Sequence, residues 1–301
     1  MSGAVVAVIL LAALLHAGWN ALVKAGKDAF LTSVLVASGA ALISLAALPW
    51  LPAPEPASWP MLCATVVLHY FYYGLMSAAY RHGDMSLAYP LMRGSAPLLV
   101  AIASAPLLGE HLSTLQYAAV ACISAGIFSM ALAHGRREPA AAGASGPSSP
   151  ASPATPVTAP RHGRAVAYAL LNAGIIACYT LVDGVGARRS EAPVAYTMWL
   201  FVFTAAGLLA WTLLRRRIEF RAYAAAHWRV AALGGAGTLG AYALSLWAMT
   251  QAPVAAVAAL RETAILFAAA IAVFFLREKI SPRRYAAIAL IASGAALMRY
   301  A

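Results

Sequence analysis

The stretch LMRGSAPLLVAIASAPLLGEHLSTLQYAAVACISAGIFSM, residues 91–130, decides the fold, because the chain writes it twice. Shifted by 168 residues, it lies over ALRETAILFAAAIAVFFLREKISPRRYAAIALIASGAALM, residues 259–298, with 14 identities in 40 positions. Alanine accounts for several of these, but not for the ordered set Arg93/Arg261, Glu110/Glu278, Ser113/Ser281, Tyr117/Tyr285 and Gly126/Gly294. Each copy carries its arginine about a third of the way into an apolar run long enough to cross a bilayer. A charge inside hydrocarbon is costly, so an intramembrane arginine is a functional-site hypothesis by default. A charge that recurs in both halves of a repeat points to the repeat interface, where secondary transporters place their substrate sites.

The rest of the chain fits this frame. Of 301 residues, 62% are hydrophobic and 10% charged, far from the roughly 25% charged residues of a soluble protein. Ten runs of about 20 apolar residues, the length that spans a hydrocarbon core, fall at 3–23, 30–50, 60–80, 86–108, 115–133, 165–186, 193–213, 229–249, 254–276 and 284–299. Little chain remains for a soluble catalytic domain. The first run lacks a basic leader and a clear small-residue cleavage site, and it continues into His16, Trp19 and Asn20. It therefore reads as the first span rather than a signal peptide. The expected fold is an all-α polytopic membrane protein with ten transmembrane helices.

The formal net charge of +11 would suggest nucleic acid in a soluble protein. Here the basic residues cluster in short connections between spans, as topology signals and contacts for anionic lipid. Membrane lipid is an expected partner and nucleic acid is not. Cys63, Cys122 and Cys178 all fall inside spans and form neither a disulfide framework nor a metal motif.

The only low-complexity segment is 135–164, rich in Pro, Ala, Ser and Gly and too poor in apolar residues to fold. It reads as a flexible linker between a first five-span half, 1–134, and a second, 165–301. An odd number of spans per half inverts the second relative to the first. At 1.5 Å per residue, Arg93 and Arg261 would each lie roughly 10 Å from opposite faces and so flank the midplane. Most Lys and Arg fall on the side of connections 1–2, 3–4, 5–6, 7–8 and 9–10, against Arg188, Arg189 and Arg299 on the other. The positive-inside rule then puts both termini outside the cytoplasm.

Three motifs carry a family likeness: HAGWNALVKAGKD at 16–28, LLGEHLSTLQYAAVACISAGI at 107–127 and LREKISPRRYAAIALIASGAA at 276–296. The chain resembles the drug/metabolite transporter superfamily in its EamA-type, ten-span branch, over nearly its whole length except the linker. The resemblance implies two repeated halves, secondary transport and export, without ATP, from a bacterial inner (plasma) membrane. It leaves the substrate open among amino acids, drugs, sugars and nucleotide precursors. The HAGWN start also looks like members associated with phosphonate use. Family members are described with cytoplasmic termini, against the charge count. Glu110 and Glu278 match the family's signature glutamates and are expected to cap or brace short loops.

Several side chains are candidates for the site. Arg93 and Arg261 read as a clamp for a carboxylate or phosphate, or as ties for carbonyls freed near Pro90 and Pro97. Glu262 reads as a protonatable coupling group or as the neutraliser of Arg261. Because Gly94 takes its place in the first half, Arg93 is expected to be the freer anion contact. His16 and Asn20, with Lys24, share one face of the first helix at spacing four. Trp19 and Tyr179 correspond across the repeat, as do Tyr73 and Tyr242. All are read as substrate contacts, or as packing and interhelical hydrogen bonds. His69, like Glu262, is a candidate for proton coupling, and Asn172 and Asp183 are further polar groups at mid-membrane depth.

Metal sites and cofactors are not expected. HExxH, GxSxG, Walker A and Rossmann patterns are missing. The expected function is alternating-access transport of a small polar metabolite bearing an anionic group, amino acid-like or organophosphonate-like, with protons as a candidate coupling ion. The alternatives are a passive channel and an integral-membrane enzyme acting on a lipid or lipid-linked substrate.

Overall fold

The computed structural model describes residues 1–26, 28–83, 85–134, 159–274 and 281–301. Among these the protein is all helical: α1 (Gly3–Ala25), α2 (Ala29–Ala47), α3 (Trp59–His82), α4 (Met85–Leu108), α5 (Thr114–His134), α6 (Ala159–Arg189), α7 (Pro193–Ala226), α8 (Trp228–Gln251), α9 (Val254–Arg261), α10 (Ala264–Phe274) and α11 (Pro282–Tyr300). Eight segments are long and apolar enough to cross a membrane, with Thr114–Met130 as a shorter ninth. Leu42, Phe71, Ile102, Leu171 and Phe274 are exposed at 59% or more, the outward apolar surface that lipid covers and water would not tolerate.

The termini of the helices carry local signals. Ser2 accepts from the Val5 N–H at the start of α1. Asp28 accepts from the Leu31 N–H at the start of α2 (2.9 Å), a side-chain cap of an otherwise orphaned donor. Asp28 also pairs with Arg216 (2.9 Å), the residue where α7 leaves helical geometry at φ −139°, ψ 37°. Residues 135–158 of the expected linker lie outside the described residues. Its last six belong instead to α6, which starts at Ala159 with Pro160 in the first turn, where a missing N–H costs nothing.

The two halves are interleaved. α3 packs along α6, and its repeat equivalent α8 packs along α1; α2 meets α7, and α5 meets α11. The α5/α11 crossing is reciprocal. A Cβ on Gly126 would lie 2.5 Å from Ile291 Cγ1 and 3.0 Å from the Ala287 carbonyl; one on Gly294 would lie 2.8 Å from Ile123 Cγ1 and 2.9 Å from the Ala119 carbonyl. These are the same contacts with the halves exchanged, so a pseudo-two-fold axis passes through the crossing. The earlier residues of α5 meet the later glycine of α11, and the later glycine of α5 meets the earlier residues of α11. The two helices are therefore antiparallel, the relation that inversion of one half requires.

One expected element differs. The ninth span is not one continuous helix. Its i→i−4 ladder gives way to i→i−3 bonds at Glu262 N–H to Ala259 (3.1 Å), Thr263 N–H to Leu260 (3.0 Å) and Ile265 N–H to Glu262 (3.0 Å). The Thr263 hydroxyl adds a bond to the Leu260 carbonyl (2.7 Å), which favours the tighter turn over the regular helix. α4 behaves in the opposite way, remaining helical through Pro90, Pro97 and Pro106. The break thus falls at the second arginine, not beside the prolines of the first.

Candidate functional site

α4 and the α9–α10 turn cross at the centre of the bundle and bring both arginines to one cavity, lined also by Glu262, Tyr179, Pro97 and Ala258. Every residue from Val254 to Leu260 is buried, so a packed helix delivers the turn at 261–263 to the cavity. The cavity measures ≈ 20 Å³, room for one water-sized body and no metabolite. Admitting a solute requires the helices around it to part.

The charges pair across the repeat and not along the helix. Arg93 meets Glu262 through two bonds, Nε to Oε2 at 2.9 Å and a terminal nitrogen to Oε1 at 2.8 Å. This is the planar fork that carboxylates select from arginine, and both side chains are nearly out of solvent, at 13% and 7% exposure. Arg261 stands instead over the ring of Tyr242, 5.1 Å from its centroid. The expectation that Glu262 would neutralise its neighbour Arg261 is therefore corrected: Arg93 is the neutralised arginine and Arg261 the freer one. The cause is geometric, since adjacent residues of a helix point about 100° apart, while α4 packs directly against α9.

Behind Arg261 lies a second polar cluster. Asp183 on α6 is fully buried and accepts hydrogen bonds from the hydroxyls of Tyr242 and Tyr196. His69 on α3 stacks on Tyr179 (4.5 Å between centroids) and lies edge-on to Tyr242 (6.1 Å). Its Nδ1 is 2.8 Å from the Thr65 carbonyl, and because a carbonyl only accepts, that nitrogen carries the hydrogen.

The remaining candidates sit further from the cavity. Tyr73 packs edge-on against Tyr72 (5.2 Å), which in turn meets Tyr179 (6.1 Å) of the cavity wall, so two rings separate it from the cavity. His16 is edge-on to Trp19 (5.3 Å) and lies in the field of both Arg93 and Arg261. Asn20 donates to the His16 carbonyl (2.8 Å), spending a donor on its own helix. Among the described residues the buried indole N–H of Trp19 finds no acceptor, and Asn172 donates to the Met92 sulfur (2.9 Å) while its carbonyl oxygen has no partner there. Nothing in the sequence sets Tyr196 and Tyr72 apart from the other tyrosines. Tyrosine is common in membrane spans, and only the fold brings these two to Asp183 and Tyr179.

Glu110, one of the two signature glutamates, lies outside the cavity. Its carboxylate accepts from the Val254 N–H (2.9 and 3.1 Å), the first donor of α9, and pairs with Arg188 of α6. Arg188 also donates to the carbonyls of Met249 (2.8 Å) and Ala252 (3.1 Å). One guanidinium thus ties α4, α6 and the α8–α9 turn together at one end of the bundle. Arg188→Met is expected to lower stability by about 1–3 kcal/mol, the cost of leaving two carbonyls and a carboxylate short of donors. Thermal unfolding in detergent would show it, and an unchanged melting temperature would refute the brace. Glu278 lies outside the described residues. Among the described residues no cluster of three or more His, Cys, Asp or Glu is placed to hold a metal.

The sequence profile of the EamA-like transporter family matches the chain twice, over residues 3–132 and 163–300. The two matches coincide with the two interleaved halves. No curated protein sequence matches it. A solved structure titled "Crystal structure of protein" aligns with a TM-score of 0.69 over 99% of this chain and 96% of its own, at 20% identity. At that identity the likeness concerns the fold alone.

Proposed function

The chain belongs to the EamA-like transporter family, and from that premise we propose that it moves a small polar metabolite bearing an anionic group across a bacterial inner membrane by alternating access. It is an integral membrane protein of a family of transporters. The reading of the substrate as an anion is supported by one observation: Arg261 faces the central cavity with no carboxylate in ion-pair range among the described residues. A guanidinium cannot shed its charge at any physiological pH, so one left over at mid-bundle depth favours an anionic guest. Its support is the Tyr242 face, which holds a cation without cancelling it. Tyr179 and the Arg93–Glu262 pair complete the wall. Export is the direction that the family resemblance implies.

Counterflow in proteoliposomes tests this, with L-glutamate and 2-aminoethylphosphonate as probes of the two anion types. Saturable exchange of one of them is expected. Arg261→Ala is expected to reduce it at least tenfold, the effect of losing about 1.4 kcal/mol or more of anion binding. Arg261→Lys should fall between, because a point charge replaces a planar fork. Flux without saturation or counterflow would indicate a channel, and full activity in Arg261→Ala would remove the arginine from the site.

A further inference from the structure

Asp183 is the buried carboxylate that the site described above does not use. Its side chain is fully buried on α6, and no lysine or arginine reaches it among the described residues. The groups facing it are polar but uncharged or titratable: Thr65 and His69 from α3, Tyr196 from α7 and Tyr242 from α8. From α9, Val254 approaches this part of α6, against Gly184, and Arg261 stands over the ring of Tyr242. This is the reverse of Glu262, whose charge is matched by the two-pronged contact with Arg93.

We propose that Asp183 is a proton-binding site of the carrier, loaded together with the anion at Arg261. A carboxylate at this depth without a counter-ion is costly, and a bound proton removes the charge. The cluster is built to hold either form. A tyrosine hydroxyl donates to a carboxylate and accepts from a carboxylic acid by rotating its hydrogen, and both Asp183 oxygens have such a partner. His69 spends its Nδ1 hydrogen on Thr65, which leaves Nε2 as an acceptor in the field of Asp183. On release the O–H bond of Asp183 breaks as a water takes the proton, and loading is the reverse.

Tyr242 connects this site to the substrate site. Its hydroxyl holds Asp183 and its ring carries the guanidinium of Arg261. When Asp183 is ionised, its negative charge offsets part of the field of Arg261; when it takes a proton, that field is unopposed and an anion binds better. By linkage the anion equally favours the proton. Proton and anion therefore move in the same direction, and for a monoanion the movement is electroneutral; under an inward proton gradient this coupling favours uptake, the reverse of the direction that the family resemblance implies. This inference rests on the reading of Arg261 as an anion contact for its coupling, but not for the proton site itself.

Infrared difference spectroscopy of the full chain in liposomes, between alkaline and acidic buffers and without substrate, tests the site. A protonated-carboxyl C=O band is expected on acidification, lost in Asp183→Asn and kept in Glu262→Gln. If Asp183→Asn does not fold, Tyr242→Phe leaves the carboxyl in place and should move the band to higher wavenumber by removing one of its two tyrosine hydrogen bonds. A band that survives Asp183→Asn, fails to move in Tyr242→Phe, or is bleached by sodium at fixed pH would overturn the proton site. Coupling is read separately, with L-glutamate and 2-aminoethylphosphonate. Asp183→Asn should abolish the acceleration of counterflow by a proton gradient; retained acceleration would overturn the coupling. If wild-type protein exchanges neither probe but shows the Asp183 band, the anion reading falls and the proton site stands.

Discussion

Arg93→Ala is expected to destabilise the protein by about 3–5 kcal/mol, and Glu262→Ala by a similar amount, because each strands the other's buried charge. The pair is doubly hydrogen bonded and nearly sealed from solvent, so neither charge can be rescued by water. The double variant Arg93→Met/Glu262→Leu should recover most of the loss, since a buried pair replaced by apolar groups of similar volume is often neutral. The measurement is a double-mutant cycle on thermal unfolding in detergent, followed with a thiol dye on the three cysteines. Arg261→Ala supplies the contrast. It gives up a cation–π contact worth about 0.5–2 kcal/mol and releases a charge that has no carboxylate partner among the described residues. Should Arg261→Ala prove more damaging than Arg93→Ala, the assignment of Glu262 to Arg93 is wrong.

The second large effect is expected at the α5/α11 crossing. Gly126→Val and Gly294→Val each force a side chain where a Cβ alone already lies 2.5 or 2.8 Å from an isoleucine of the other helix. Real Cβ atoms do not approach that closely, so the helices must part, at a cost of about 1–3 kcal/mol or more each. Because the two glycines sit in equivalent environments, the costs should match. Because they act on the same gap, the double variant should cost less than the two combined. One neutral variant would show that the crossing is not symmetric.

Much of this architecture was legible in the sequence because it depends on pattern. Apolar runs of bilayer length gave the spans, and the ordered identities between 91–130 and 259–298 gave the repeat. Both arginines and Glu262 were found because a charge in an apolar run is conspicuous. What pattern does not contain is partnership. Glu262 stands next to Arg261 in the chain, yet it pairs with Arg93, a choice made by how α4 lies on α9. The position of the helix break was also hidden. Local propensity puts it at Pro90 or Pro97, whereas it occurs at Arg261–Thr263, which contains neither proline nor glycine. There a threonine hydroxyl and the reach of Glu262 to Arg93 outweigh the helix. Asp183 was visible as an isolated acid, but its tyrosine partners come from two other helices, and no spacing along the chain predicts them.

During synthesis the first half emerges with the α4–α5 pair as its main internal contact. Its α1 and α3 find their main partners, α8 and α6, only in chain that the ribosome has not yet made. Inserted alone, the first half would expose Gly126 of α5 and the polar face of α3 around His69 to lipid until the second half arrives. Assembly is therefore late, long-range and concerted, the regime in which folding is slow and intermediates are vulnerable to degradation. Two separately expressed halves, cut between 134 and 159, should each be short-lived in the membrane and stabilise one another when made together.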